Sequence, residues 1–315
     1  KFVDPATGVA PSVVFITSFY YLALRTVLAA ADCAHGATAS EAAKAVHKLS
    51  VHGCKRLTAE LADPALSADA WQTIVYTVTT TGGYIEKTTF EQAALLVLVE
   101  SVTRCVMELS NIDAKTQMLS SLGDKITHSL TLELQKSVVS DTRLVNLLAV
   151  ASQLIRFSDV TSDDGAPHPL VPFLTSFWPV LQQISADPRV AQYPAVECAI
   201  FGIFGKVLMS LGKAVYSQVP SMLHAVLSSV AARGASAAAA LQCATTLVDR
   251  LGSQMGDSSE GAGARAEKSD LLLGLIAQIT DHYTLTPNYQ RLENQAAAPG
   301  SSTDCMQLFG VTFDA

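Results

Sequence analysis

Residues 196–211, VECAIFGIFGKVLMSL, decide the fold. Val196, Ala199, Ile200, Ile203, Phe204, Val207, Leu208 and Leu211 fall at i, i+3, i+4, i+7 and i+8. That spacing lines one broad face of an α-helix. The same period continues outward. Downstream, Val215, Val219, Met222, Leu223, Val226, Leu227 and Val230 repeat it, as do Leu241, Ala244, Leu247, Val248 and Leu251. Upstream, Leu144, Leu147, Leu148, Ala151, Leu154 and Ile155 make another face, and Leu122, Ile126, Leu130, Leu134 and Val138 make a stripe at i+4. Residues 71–80 (WQTIVYTVTT) are the one ambiguous segment, because β-branched residues favour a strand in isolation. Lying between helical neighbours, they are expected to be a helix. The fold class is all-α.

The breaks reveal a repeat. Leu211-Gly212 and Leu251-Gly252 lie 40 residues apart, each where a glycine C-cap is expected to end a helix. Residues 177–184 (FWPVLQQI) and 223–230 (LHAVLSSV) lie 46 apart and match in apolar pattern, each one helix earlier. Helices therefore come in pairs with a period of about 40–46, the range of HEAT and armadillo repeats. One such pair cannot bury its apolar face alone, so neighbours stack into a superhelix. The chain is expected to be a single HEAT-repeat solenoid over residues 1–315, with about six helix pairs. Their approximate bounds are 10–61, 67–109, 112–157, 168–212, 213–252 and 268–313. Polar loops are expected at residues 158–167, 253–266 and 296–302. Ser67 is placed to cap the helix holding Trp71. Pro179 is expected inside the first helix of a pair, removing one backbone hydrogen bond.

Composition narrows the function classes. The 315 residues are 49% hydrophobic and 16% charged, and mean hydropathy is +0.30. Roughly one residue in seven is Ala. Such numbers raise a membrane protein first, but a spanning helix needs about 20 consecutive apolar residues. The run 93–99 stops at Glu100, and 199–209 carries Lys206, so no membrane partner is expected. Lys1 is followed closely by Asp4 and Pro5 with no apolar stretch, so no signal peptide is expected here. Net charge is −7, with no Lys/Arg block longer than Lys55-Arg56, which disfavours direct nucleic-acid binding. Cys33, Cys54, Cys105, Cys198, Cys243 and Cys305 form no CxxC pair and read as free thiols of a reducing compartment.

Motifs for chemistry are weak. Gly202-Ile-Phe-Gly205-Lys206-Val207 has two residues between its glycines where a phosphate loop needs four, and sits within a helix; close helix packing explains the glycines better. Gly261-Ala-Gly263 follows no strand, so it reads as loop. Cys33, His35, His47, His52 and Cys54 are the densest soft-ligand group. His47 and His52, five apart, point about 140° from each other on a helix and converge poorly on a metal. Asp163-Asp164 reads as solvated, and His168 before Pro169 opens a helix. Trp178 reads as a core anchor between repeats. Catalytic, cofactor-binding and metal-binding residues are expected to be none, and the chain is not expected to be an enzyme.

The residues 43–47 (AKAVH), the His168-Pro169 pair followed by Phe177-Trp178-Pro179-Val180-Leu181, and Leu247-Val248-Asp249 resemble a known family. They are similar to the C-terminal half of the transportin-SR / importin-13-like nuclear transport receptors, within the importin-β (karyopherin) superfamily of HEAT-repeat proteins. The likeness runs from about Ser40 to Phe313, and its most specific piece is the HP…WPVL block. The resemblance implies a middle-to-C-terminal segment of a longer solenoid. It implies protein cargo on the concave face, nucleoporin FG repeats on the convex face, and Ran-GTP mainly on repeats outside this segment. It also implies shuttling between nucleus and cytoplasm. One departure stands out. The helix matching the arginine-rich cargo helix of those receptors, residues 196–213, contains no Arg, and only Lys206 and Lys213 are cationic, with Glu197 opposing them. Bidentate Arg forks suit phosphate best, so a different cargo set, or a diverged receptor, fits this helix better than phosphorylated Ser/Arg-rich cargo.

Second helices of each pair usually line the concave surface. Partner-binding residues are therefore expected among Glu197, Lys206, Lys213, Asp249 and Arg250. The alternative is a HEAT-repeat scaffold for a multiprotein assembly, without transport activity.

Overall fold

A computed structural model describes residues 36–61, 67–87, 90–158, 168–190, 192–232 and 235–253, with single positions 29, 270, 273 and 277. The chain divides into two compact units, Lys1–Tyr216 and Ser217–Ala315. The described residues are overwhelmingly α-helical and contain no strand. The first half of the expected pair 10–61, the Gly261 loop and nearly all of the pair 268–313 lie outside them.

In the first unit, α1 is Gly36–Leu61, α2 Ser67–Glu86, α3 Gln92–Met107 and α4 Ile112–Gln135. Then come α5 Asp141–Arg156, α6 Val171–Ala186 and α7 Pro194–Leu211. The β-branched segment 71–80 is helical, within α2. Its neighbours decide the matter: Thr73, Ile74, Thr77 and Val78 are buried at helical spacing. Thr77 donates its hydroxyl to the Thr73 carbonyl at 2.7 Å, so the buried polar group stays satisfied.

Helices two apart in sequence make most of the packing. α1 packs on α3, α3 on α5 and α5 on α7; α2 packs on α4 and α4 on α6. Sequence neighbours from α1 through α5 also touch. Leu119, Leu122, Ile126 and Leu130 of α4 are fully buried, as are Phe173 and Phe177 of α6, whose rings stack at 4.9 Å. Each such side chain contributes about 1.5–3 kcal/mol of burial. The i+4 stripe of α4 stops short of its expected end. The helix finishes at Gln135, so Val138 is exposed and Val139 is buried in its place.

Helix ends follow local chemistry. Asn111 caps α4, its Oδ1 accepting from the backbone N–H of Asp113 at 2.9 Å and Ala114 at 3.1 Å. Ser140 caps α5, accepting from the Arg143 N–H at 3.2 Å. Gly212 closes α7 with φ +49°, a conformation a Cβ resists. Pro179 lies inside α6, where it removes one intrahelical bond at a typical cost of about 3 kcal/mol. Burial of Phe177, Trp178 and Leu181 around it offsets that cost. The Trp178 ring lies 5.5 Å from that of Phe204 on α7, as expected of a core anchor.

α7 bears out the helical reading of residues 196–211. Seven of its eight stripe positions are buried, and Ala199 is half-buried. At 18 residues α7 is also long and apolar enough to cross a membrane by length and composition. Half of it is buried within the protein, which accounts for its hydropathy as a core helix.

In the second unit, α8 is Val219–Ala232 and α9 is Ala237–Ser253, and the two pack together. Of the expected stripe, Ala244 and Leu247 are buried and Val248 half-buried, whereas Leu241 is exposed; Ala240 and Cys243 are buried beside them. Gly252 lies within the last turn of α9, which ends at Ser253 and not at Leu251.

Candidate interaction surface

A chain of polar side chains runs along the odd-numbered helices α1, α3, α5 and α7. His47 Nδ1 of α1 lies 3.3 Å from Ser101 Oγ of α3. Gln153 Nε2 of α5 donates to Glu100 Oε2 of α3 at 3.2 Å. Lys206 Nζ of α7 donates to Ser152 Oγ of α5. Between α3 and α5, Gln92 Nε2 donates to the Asn146 carbonyl at 3.0 Å. The partners lie 53 or 54 residues apart, so equivalent positions on successive odd helices meet.

Alongside this chain sits a cationic group. Arg104 of α3 holds its Cζ 4.4 Å from the centroid of the Phe157 ring, and Arg156 holds its Cζ 5.2 Å from the same ring. Arg104 also pairs with Glu100 at 3.0 Å. Burial pushes the Lys206 ammonium down from its ordinary value, and the charge of Arg156 pushes it the same way.

A second set of contacts repeats on the even-numbered helices. Arg143 donates to the Ile85 carbonyl at 2.6 Å, at the end of α2. Arg189 donates to the Leu134 carbonyl at 2.8 Å and the Lys136 carbonyl at 2.7 Å, at the end of α4. Both belong to Asp-x-Arg triplets, Asp141-Thr142-Arg143 and Asp187-Pro188-Arg189, placed 46 residues apart. Cations are favoured at helix C-termini, where carbonyls lack intrahelical partners. Arg189 in turn pulls the Asp187 carboxyl below its ordinary range through side-chain and backbone hydrogen bonds. Buried Glu133 ties the next turn, accepting from the Ser140 N–H at 2.9 Å and from Lys136 Nζ at 2.6 Å.

The residues expected to bind partners are distributed across this framework. Glu197 is half-buried in the first turn of α7. Lys206 is half-buried and committed to Ser152. Nine residues separate them, which turns their side chains about 180° apart around the helix. Lys213 lies in the 3-10 segment Gly212–Gln218, and Arg250 lies in α9; their side chains are outside the described set. Asp249 is exposed on α9. Glu197, Lys206 and Lys213 belong to the first unit, Asp249 and Arg250 to the second. Sequence reasoning missed Arg104, Arg143, Arg156 and Arg189. The 46-residue recurrence of Asp-x-Arg was the available signal for two of them.

Other candidates resolve into packing or lie outside the described residues. Of the soft-ligand group, only His47 has a described side chain, and it faces Ser101. Among the described residues no three His, Cys, Asp or Glu side chains converge on a metal site. Cys105 and Cys243 are buried and Cys198 is half-buried. Gly202 is exposed with open space where a Cβ would sit, so close packing does not explain it. A groove of about 340 Å³ is lined by Ala29 and, along and just beyond α2, by Tyr76, Thr80, Gly83, Tyr84 and Lys87. No family model matches the chain, and no curated protein matches it.

Proposed function

We propose that the chain is a HEAT-repeat solenoid segment of a nuclear transport receptor in the importin-β superfamily. In this reading it binds protein cargo for Ran-regulated passage through the nuclear pore and is not an enzyme. Within the first unit, the packing of helices on the ones two places along supports the architectural half. Stacked helix pairs produce that alternation, because first helices meet first helices and second meet second. Recurrence of the arginine contacts at 46 residues, close to the period read from the sequence, supports it independently. The transport half rests on the likeness of residues 168–181 to the transportin-SR / importin-13-like receptors. In this reading nucleoporin FG repeats dock on the outer helices, and Ran-GTP engages mainly repeats outside residues 1–315. The protein then moves between nucleus and cytoplasm.

The test is a pull-down of the full-length protein with Ran-GTP, with cargo complexes assembled in parallel. Transport predicts that Ran-GTP binds and alters at least one cargo complex. Failure of both removes the reading and leaves a scaffold. One observation favours that alternative: three contacts between successive odd-numbered helices, His47 with Ser101, Gln153 with Glu100 and Lys206 with Ser152, spend polar side chains on helix spacing.

A further inference from the structure

Among the described residues, the edge formed by α3, α5 and α7 carries two cations, Arg156 and Lys206, that have no ion-pair partner. The chain as a whole carries 28 Asp and Glu against 21 Lys and Arg. Glu100 pairs with Arg104, and both of its oxygens are engaged, one by Arg104 and one by Gln153. Two guanidiniums share the single Phe157 ring. Arg104 and Arg156 each stand in the last turn of a helix, which the helix dipole favours. That explanation fails for Lys206, which sits in the middle of α7 and is half-buried. Its ammonium is anchored by Ser152 beside a second cation, an arrangement that an incoming anion would relieve.

We infer that this edge binds an acidic peptide segment of a partner protein, with Arg156 and Lys206 holding its carboxylates and the half-buried Phe157 ring as the apolar floor beside them. A guanidinium stacked on an aromatic ring keeps its N–H fork free for a bidentate carboxylate contact. A peptide fits better than nucleic acid. Few cations are grouped here, and the −7 charge of the chain repels a long polyanion more than a short acidic stretch. The inference rests on the geometry of α3, α5 and α7 and holds for a receptor or a scaffold alike.

The experiment uses the complete chain and a fluorescein-labelled peptide of alternating Glu and Gly, followed by anisotropy at low salt. Saturable binding is expected, weakened about tenfold or more by Arg156→Ala and by Lys206→Met, as for the loss of a hydrogen bond to a charged group. Lys125→Ala is the control: Lys125 is exposed and already paired with Glu86 at 2.9 Å, so its loss leaves binding within about twofold. Arg156 is exposed, so Arg156→Ala remains informative if Lys206→Met fails to fold. Absence of saturable binding overturns the inference, as does wild-type affinity in Arg156→Ala. Tighter binding of a single-stranded oligonucleotide of equal charge also overturns it, because the partner would then be nucleic acid.

Discussion

Gly123 shows how much one missing side chain can matter. A Cβ at this position of α4 would lie 2.7 Å from Cγ of Phe173 on α6, closer still to Cδ2. Phe173 is fully buried and stacked on Phe177, so it has nowhere to move. Gly123→Ala should therefore destabilise the first unit by about 1–3 kcal/mol, the usual cost of overpacking, read from urea unfolding. Gly202 makes the opposite case. It is exposed in the middle of α7 with open space around it, so Gly202→Ala should stabilise by about 0.5–1 kcal/mol through helix propensity alone. The sequence suggested close packing at Gly202 and said nothing of Gly123, because the partner that closes on Gly123 lies 50 positions away and no local pattern marks it. Lys206 gives a pH signature. Its folded proton affinity is lowered from 10.5, so the unfolded chain binds more protons between the lowered value and 10.5. Stability must then rise with pH across that window. Denaturation midpoints at a series of alkaline pH values should climb, and Lys206→Met should flatten the climb.

Among elements, the arginine contacts link each helix end to the next turn along. Arg143 is half-buried, so Arg143→Met should cost about 1.5–3 kcal/mol, the range for hydrogen bonds to a charged group. Amide exchange should quicken in the last turn of α2, where Ile85 loses its donor. Arg189 is nearly half exposed, so Arg189→Met should cost less than Arg143→Met and quicken exchange at the end of α4. An equal effect of both variants on both helix ends would show that the contacts do not act locally. Helix existence was legible in the sequence wherever an apolar face ran long, as in α5, whose six stripe residues are all buried. The boundaries were less so. Nothing in the i+4 spacing of Leu122 to Val138 reveals that Gln135 ends the helix, since that end is fixed by Glu133 and Ser140. The arginine contacts were hidden for a further reason: their acceptors are backbone carbonyls, which any residue supplies.

For the whole molecule, the two compact units offer a test that the sequence itself equips. Both tryptophans, Trp71 and Trp178, fall in the unit Lys1–Tyr216. Tryptophan fluorescence therefore reports that unit alone, while far-ultraviolet circular dichroism reports helices of both. Each unit buries its own side chains, Leu119 to Phe177 in the first and Met222, Val226 and Leu247 in the second. A compact unit with its own core can melt by itself, and probes that disagree diagnose more than two states. The fluorescence and dichroism transitions in urea should thus fail to coincide. Gly123→Ala should move the fluorescence transition to lower urea and shift only the matching share of the dichroism signal. The acidic-peptide edge lies wholly in the first unit, so the labelled peptide should raise the fluorescence midpoint and leave the remaining dichroism transition where it was. Coincident transitions that move together in both cases would mean that the units fold as one cooperative body, and stability would then have to be assigned to the array as a whole.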